Sequence, residues 1–221
     1  MLYNFAHKYT QQFLKRTYLC SKFLEKGNMI QSVCIYCASS TRIDPVYIEA
    51  AEQLGMLLGS RRLNVINGAG SIGLMRVVSD AVLKAGGTVT GVIPRFMVEN
   101  GWGYSELTQI IEVETMHERK QTMADLSDAV IALPGGFGTL EELLEIITWK
   151  QLGLYRNPIV ILNTNHFYDP LLNMFQKALD ENFIHRLHAV LWKLAETPEQ
   201  AVEMIFEKEA VEYLSKIDLH R

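Results

Sequence analysis

The chain has 221 residues and a formal net charge of −4, and 48% of its residues are hydrophobic against 21% charged. This length is sufficient for one sizeable hydrophobic core, and the composition is that of an ordinary globular protein. The acidic balance argues against a general nucleic-acid-binding protein, since such proteins carry basic surfaces. No apolar run approaches the length of a membrane span. We therefore expect neither nucleic acid nor a membrane as a partner.

The three cysteines are Cys20, Cys34 and Cys37, and an odd number cannot all form pairs. This count fits a reducing compartment and predicts a cytoplasmic protein. Cys34 and Cys37 have C-x-x-C spacing, but they fall in a predicted strand, where residues three apart point to opposite faces. Because no second Cys or His pair has zinc-like spacing, both are predicted to be core residues. We expect no metal and no other cofactor.

Residues 1–28 differ from the rest of the chain because they hold five basic residues and one acidic residue, a net charge of +4. The first clear strand pattern begins shortly after Met29. We therefore interpret residues 1–28 as a basic amino-terminal extension and residues 29–221 as the folded domain. An amphipathic helix that covers a subunit surface is the alternative, since Phe5, Tyr9 and Phe13 are spaced to line one helical face.

Strands and helices alternate from Ile30 onward. The predicted strands are Ser32–Ala38, Leu63–Asn67, Thr88–Ile93, Gln109–Val113, Ala129–Leu133, Pro158–Leu162 and Ala189–Leu194. The predicted helices are Pro45–Ser60, Ile72–Ala85, a segment around Glu118–Leu126, Leu140–Leu152, Tyr168–Asn182 and Pro198–Tyr213. This alternation predicts an α/β, Rossmann-like single domain with a mostly parallel sheet and helices on both faces. Ligands of such folds bind outside the carboxyl ends of the strands.

The stretch from Asp128 to Lys150, DAVIALPGGFGTLEELLEIITWK, has the pattern of a phosphate site. Its apolar run, Ala129–Leu133, has the length and composition of a buried parallel strand. Pro134 and three glycines follow, and apolar residues then recur at helical steps. A strand, a glycine turn and a helix expose free backbone N–H groups and the positive end of a helix dipole, which suit a phosphate.

The same residues have a purely structural interpretation. Thr139 and Glu142 have the spacing of a capping box, in which Thr139 is the N-cap and Glu142 reaches back to the N–H group of the cap. On that interpretation Glu142 only completes a helix end. These residues taken alone leave both interpretations open.

A second glycine turn, Gly68–Gly73, has the form G-x-G-x-x-G after a predicted strand and resembles a dinucleotide fingerprint. The next strand, however, ends in Pro94 and Arg95, without the carboxylate that binds the ribose hydroxyls of NAD. No G-K-[ST] follows the turn, so it is not a Walker A motif either. Neither an NAD enzyme nor an ATPase is expected.

A basic run, His117-Glu118-Arg119-Lys120, follows the fourth predicted strand. Arginine and lysine at this density are suited to clamp a phosphate or a carboxylate. The alternative is the solvated start of a helix, which is the commoner role for such a run.

Three segments together resemble the Lonely Guy family, the cytokinin riboside 5′-monophosphate phosphoribohydrolases that were long labelled lysine decarboxylases. They are MHERK (116–120), LPGGFGTLEE (133–142) and ITWKQLG (147–153), and CASS (37–40), GAGSIGLM (68–75) and GVIP (91–94) also match. The resemblance extends from Ile30 to Ile184. Two positions depart from it, Arg76 in place of the usual glycine and Tyr155 where many members have histidine, and both bear on base specificity.

This resemblance implies a Rossmann-like homodimer that binds a purine nucleoside 5′-monophosphate. It implies that Arg119 and Glu142 are the catalytic pair. The residues it implies for substrate binding are Glu99, Lys120, Gly135, Gly136, Phe137, Gly138, Thr139, Leu140, Glu141 and Thr148. The position of Glu99 follows from a loop whose length differs from that of the family.

The chemistry expected from these residues is hydrolysis of an N-glycosidic bond. Glu142 would stabilise positive charge on the ribose and assist an attacking water, while Arg119 keeps it ionised. The phosphate would bind the N–H groups of Gly136, Gly138 and Thr139. A non-catalytic nucleotide or molybdenum-cofactor carrier is the alternative function. A pyridoxal-phosphate decarboxylase is a weaker one, since Lys120 has no evident acidic partner for the cofactor ring.

Overall fold

The computed structural model describes residues 30–207. Within this range seven strands form one sheet. They are β1 (Ser32–Tyr36), β2 (Asn64–Asn67), β3 (Thr88–Pro94), β4 (Gln109–Val113), β5 (Ala129–Ala132), β6 (Ile159–Leu162) and β7 (Lys193–Ala195). The order across the sheet is β4-β3-β2-β1-β5-β6-β7, and every neighbouring pair is parallel.

Helices follow the strands in alternation. They are α1 (Pro45–Ser60), α2 (Gly73–Lys84), α3 (Arg95–Glu99), α4 (Met116–Asp125), α5 (Phe137–Gln151), α6 (Asp169–Asp180) and α7 (Pro198–Phe206). Two short 3-10 helices, Thr164–His166 and Arg186–Val190, lie in the connections around α6. The bounds of α1 agree with the prediction because Asp44 caps the helix from its side chain and Pro45 occupies the first turn.

The order of the strands reverses between β1 and β5. The chain builds the sheet outward from β1 to β4 and then returns to add β5, β6 and β7 on the other side. The connections after β1 and β5 therefore diverge, which leaves a crevice at the carboxyl edge of the sheet. This is the place where α/β sheets bind ligands.

Two hydrophobic layers cover the two faces of the sheet. One layer packs α1, α2 and α7 against residues such as Val33, Ile35 and Ile131, and the other packs α4, α5 and α6 against Cys34, Val130 and Ile161. Because successive strand residues point to opposite faces, every central strand is buried on both sides. The predicted α/β fold with helices on both faces is confirmed. Cys34 and Cys37 are free, buried and in different layers, as predicted.

The carboxyl-terminal elements differ from the prediction. The strand predicted at Ala189–Leu194 is wrong in its first half, because residues from Arg186 to Val190 form a 3-10 helix and β7 begins at Lys193. The His185 side chain accepts a hydrogen bond from the Leu187 N–H group and starts that turn. The helix predicted at Pro198–Tyr213 ends at Phe206. Residues 208–221, like the extension at 1–28, lie outside the described part of the chain.

No helix within residues 30–207 has the length and apolar character needed to cross a membrane.

Candidate active site

The glycine turn after β5 leads directly into α5. The helix begins at Phe137, and its N-cap is Gly136, which offers no side-chain hydrogen bond. Thr139 lies in the first turn and is buried, and a Cβ atom on Gly135 would stand only 2.1 Å from its Oγ1 atom. The capping-box interpretation is therefore wrong, since Thr139 is inside the helix and not at its N-cap. Glycine at position 135 is required by this close approach.

The start of α5 presents unpaired main-chain donors to solvent. The N–H groups of the first helical turn have no acceptor within the helix, and no side chain caps them. Gly136, Phe137 and Gly138 are exposed, and Cβ atoms on Gly136 or Gly138 would meet nothing within 4 Å. Together with the positive end of the helix dipole, these donors form an open cradle for an anion.

Helix α4 begins with two side-chain hydrogen bonds at its amino-terminal end. The Thr115 hydroxyl accepts from the Glu118 N–H group, and the Glu118 carboxylate accepts from the Glu114 N–H group. His117 is exposed, whereas Arg119 and Lys120 are 7% and 6% exposed. The solvated-helix interpretation therefore holds for the outer residues of the run and fails for Arg119 and Lys120.

Arg119 is held by a main-chain carbonyl of strand β3 and by one in the glycine turn that follows β2. Its Nε atom donates to the Val92 carbonyl at 3.1 Å, and its Nη2 atom donates to the Gly68 carbonyl at 3.0 Å. A Cβ atom on Gly68 would stand 1.6 Å from Nη2, so only glycine leaves space for the guanidinium. Its Nη1 atom lies 3.9 Å from the Glu142 Oε1 atom. The basic run on α4 and the helix that follows the glycine turn after β5 therefore meet in an ion pair beyond the carboxyl ends of the strands.

Glu142 is a mostly buried carboxyl group on the second turn of α5, with 13% of its side chain exposed. Burial raises its pKa to about 7, because the charged form loses its hydration. Arg119 and Lys120 act in the opposite direction and favour the ionised form, while Glu141 and Glu145 disfavour it. The expectation that Arg119 keeps Glu142 fully ionised is thus too simple, since burial outweighs the ion pair and the carboxyl group titrates near neutral pH.

Lys120 joins α4 to α5. Its ammonium group donates to the Glu141 carboxylate and, at 3.0 Å, to the Glu145 carboxylate. Burial acts to lower the lysine pKa, but the two carboxylates outweigh it and raise the pKa above its usual value. Lys120 is consequently a fixed positive charge beside Glu142.

The remaining predicted site residues occupy several environments. Leu140 is partly buried and packs against the core layer of α5. Thr148 is exposed, and its hydroxyl donates to the Leu144 carbonyl of its own helix. It follows Glu142 by six residues and so points about 120° away from it around the helix axis. Glu99 is exposed at the end of α3.

A cavity of about 280 Å³ is lined in part by the second glycine turn, through Ser71, Ile72 and Gly73. Its polar lining residues are Ser40, Thr41, Ser71, Arg76 and Asp80. Neither Arg119 nor Glu142 is among the residues that line this cavity. Within the described residues, no group of three or more His, Cys, Asp or Glu side chains is arranged to hold a metal ion.

The sequence pattern did not identify the main-chain acceptors of Arg119. The carbonyl groups of Gly68 and Val92 belong to the segments GAGSIGLM and GVIP, which are separated from Arg119 by 51 and 27 residues. The glycine at position 68 was the available signal, since a glycine directly after a strand often marks a close approach.

Comparisons with known proteins find a matching family model and similar relatives from plants. Residues 75–205 match a family model described as "Possible lysine decarboxylase". The chain is 42% identical over 195 residues to the cytokinin riboside 5′-monophosphate phosphoribohydrolase LOG7 of Arabidopsis thaliana, covering 87% of this chain and 90% of the relative. It is 49% identical over 152 residues to LOG5 of the same plant, covering 69% and 67%.

The solved structures show the same fold at lower identity. The molybdenum cofactor binding protein of Rippkaea orientalis superposes with a TM-score of 0.61 at 23% identity and covers 81% of this chain and 97% of its own. The molybdenum cofactor carrier protein of Chlamydomonas reinhardtii also gives a TM-score of 0.61, at 21% identity, and covers 85% of this chain and 99% of its own. These similarities establish the architecture alone.

Proposed function

Because the chain belongs to the Lonely Guy family of cytokinin riboside 5′-monophosphate phosphoribohydrolases, we propose that it hydrolyses the N-glycosidic bond of a purine nucleoside 5′-monophosphate. Water is consumed, and the products are the free base and ribose 5-phosphate. The observation that carries this proposal is the buried Glu142 carboxyl group, paired with Arg119 one turn beyond the anion cradle.

The cradle at the start of α5 is suited to the 5′-phosphate. Its donors are the main-chain N–H groups around Phe137, Gly138 and Thr139, which are fixed by the helix and need no reorganisation. A phosphate held there would anchor the ribose and bring its anomeric carbon towards the second turn of the helix, where Glu142 lies.

Glu142 is suited to the bond-breaking step. Loss of the base leaves positive charge on the ribose, and a nearby carboxylate stabilises that charge. A pKa of about 7 also makes the carboxylate an effective base for the attacking water, because a general base works best when its pKa is near the working pH. Arg119 holds the carboxylate in place from the α4 side.

Decarboxylation is disfavoured by the state of Lys120. A lysine that forms a Schiff base must release its proton, and such lysines have lowered pKa values. Lys120 instead donates to two carboxylates, and its pKa is raised. A non-catalytic carrier is disfavoured by the Arg119–Glu142 pair, because binding a ligand without cleaving it does not require such a pair.

The 5′-phosphate is the part of the substrate that we expect to be required for rapid hydrolysis. We expect rapid release of base from AMP or from isopentenyl-AMP, and release from the corresponding nucleosides that is slower by at least about a hundredfold, since the lost anchor removes binding energy used for positioning. Free base and reducing sugar are quantified for the four compounds under one set of conditions. Equal turnover of adenosine and AMP would contradict the phosphate site, and the ratio of the two nucleotides identifies the preferred base.

The outer face of α5 supports the proposal of a homodimer. Phe137 is 94% exposed, and Leu144 and Leu152 are 42% and 50% exposed on the same stripe of the helix as Thr148. Exposed apolar residues on one face of a helix favour association with a second copy. Since Thr148 faces away from Glu142 of its own chain, its expected substrate contact would be made in the site of the partner.

The dimer is tested by placing a charge in this stripe. We expect Leu144→Glu to produce a monomer and to lower base release, because a buried carboxylate without a partner opposes association. Light scattering gives the mass in solution. Met174→Glu is the matched control, since Met174 is 60% exposed on α6 outside the stripe. A Leu144→Glu protein that remains dimeric would place the interface elsewhere.

We also propose the cytoplasm as the compartment, supported by the free thiols of Cys34 and Cys37.

A further inference from the structure

Asn67, the last residue of β2, lies directly before the glycine turn that anchors Arg119. It is 1% exposed, and its side chain makes two hydrogen bonds. The Nδ2 atom donates to the Ser79 hydroxyl of α2 at 2.9 Å, and the Oδ1 atom accepts from the Ala69 N–H group at 2.9 Å. The Ser79 hydroxyl donates in turn to the Met75 carbonyl. This chain of bonds fixes the amide in one orientation.

The bond to Ala69 stabilises a main-chain conformation that is unfavourable for alanine. Ala69 has a φ of 56°, in the left-handed region, where a Cβ atom is normally disfavoured. It is 1% exposed and has little room to relax, since a Cβ atom on Gly91 would stand 2.5 Å from its own Cβ. A side-chain oxygen that accepts from the N–H group two residues later is the usual stabiliser of such a turn.

The stabilised turn contains an anchor of Arg119. Gly68 lies between Asn67 and Ala69, and its carbonyl accepts from Arg119 Nη2. The direction of that carbonyl depends on the main-chain angles of Gly68 and Ala69. The hydrogen bond between the Ala69 N–H group and the Asn67 side chain bridges this part of the main chain. The other anchor, the Val92 carbonyl, belongs to regular strand β3 and does not depend on the turn.

We propose that Asn67 is a positioning residue, which aims Arg119 at Glu142 by fixing the Gly68 carbonyl in the turn between them. This inference rests on the proposed function, because it gives the turn a purpose in bond cleavage. The contacts of Asn67 are to Ser79 and Ala69, so its influence on the ion pair passes through the turn.

The consequence is measurable in the ionisation of Glu142. The charged groups that act on this carboxyl are Arg119 and Lys120 of α4 and Glu141 and Glu145 of α5. Cys34, Tyr36 and Cys37, from β1 and the residue after it, also face Glu142, whose charge helps to raise their pKa values. Only Arg119 among them is tied to the glycine turn. If the turn loosens, Arg119 withdraws and the carboxyl loses the attraction of a positive charge, so its pKa rises.

The test compares Asn67→Ala with the unmodified protein and with Asn64→Ala. We expect Asn67→Ala to raise the Glu142 pKa by about one pH unit or more. We also expect it to lower kcat/KM for AMP at pH 7 by about tenfold to a hundredfold. Asn64, three residues earlier in β2, accepts from the hydroxyls of Thr88 and Thr90 and has no contact with the turn, so its substitution should leave the pKa unchanged.

Two readouts separate this inference from the proposed function. Carbon-13 NMR of the Glu142 carboxyl, assigned with Glu142→Gln, gives the pKa whether or not the protein releases base. The pH profile of base release gives the same midpoint kinetically, and the titration of the substrate phosphate is common to all variants. An unmodified protein that does not release base overturns the proposed function, whereas an unchanged Glu142 pKa in Asn67→Ala overturns the inference alone.

A second variant covers the case in which Asn67→Ala does not fold. Ser79→Ala removes the acceptor of the Asn67 amide and places a good helix former in α2. We expect the same upward shift of the Glu142 pKa, of smaller size, because the bond to Ala69 is weakened but not deleted. A folded Ser79→Ala protein with an unchanged pKa would then overturn the inference.

Discussion

Replacing Glu142 with glutamine is expected to abolish base release and, at the same time, to stabilise the protein at pH 8. Glutamine keeps the shape of the side chain but cannot ionise, so it neither stabilises a positive ribose nor accepts a proton from water. We expect kcat to fall by at least about a thousandfold. The fold is expected to remain intact, because Glu142 makes an ion pair at 3.9 Å and does not close the helix end.

The gain in stability follows from the raised pKa. A free glutamic acid side chain ionises near pH 4.5, whereas burial moves the pKa of Glu142 to about 7 in the folded protein. Between these values the folded state holds a proton that the unfolded state has released, so the free energy of unfolding falls as the pH rises. Above pH 7 this loss amounts to about 3 kcal/mol, which the glutamine variant avoids.

Thermal or urea unfolding at pH 5 and pH 8 measures this difference. The unfolding free energies of the two proteins should differ by less than about 1 kcal/mol at pH 5 and by about 2 to 3 kcal/mol at pH 8. Glu145→Gln is the matched control on the same helix: it loses a bond to Lys120 and should not stabilise the protein at pH 8. A folded Glu142→Gln protein with near-normal base release would return Glu142 to a structural role.

Replacing Arg119 with alanine is expected to lower both activity and stability. The guanidinium is 7% exposed and donates to the carbonyls of Gly68 and Val92, which would be left without these partners. A buried hydrogen-bonded charge of this kind contributes about 2 to 4 kcal/mol to stability. Base release should fall by about a hundredfold to a thousandfold, because Glu142 loses its orienting charge and its pKa rises further.

Two further substitutions serve as controls for Arg119→Ala. Arg119→Lys keeps the positive charge but cannot donate to both carbonyls, so we expect intermediate activity. Arg95→Ala removes an arginine that pairs with Glu114 at 2.7 Å but is 60% exposed, and it should change stability by less than about 1 kcal/mol and leave base release unchanged. An Arg119→Ala protein as active as Arg95→Ala would exclude Arg119 from the mechanism.

The raised pKa of Glu142 changes the role that we expect for the Arg119–Glu142 ion pair. An ion pair in water would hold the carboxyl ionised at all neutral pH values, but here burial outweighs the guanidinium. In the proposed reaction the carboxyl would therefore exchange a proton. The proposed anion cradle and Glu142 lie on the same helix, within two turns, so a substrate anchored by its phosphate would reach Glu142 without a conformational change of the fold.

Local patterns in the sequence predicted the elements that depend on local interactions. Helix α1 has its predicted bounds because Asp44 and Pro45 determine its start from within one turn. The central strands were recognisable because strands buried on both faces are continuous apolar runs. The pattern failed at Ala189–Leu194, where an apolar run of similar appearance forms a 3-10 turn before β7 pairs with β6. β7 is an edge strand of the sheet, and the apolar run itself does not encode that position.

The amino-acid sequence by itself determined the alternation of strands and helices, the glycine turns at two strand ends, and the motifs that resemble the family. Only the structure decided that Thr139 is inside α5 and that Arg119 is anchored on Gly68 and Val92. It also decided the pKa of Glu142, because burial and the charges around one carboxyl group are set by residues brought together from α4 and α5. Local periodicity carries no information on such distant neighbours, and their combined field is the property on which the proposed chemistry depends.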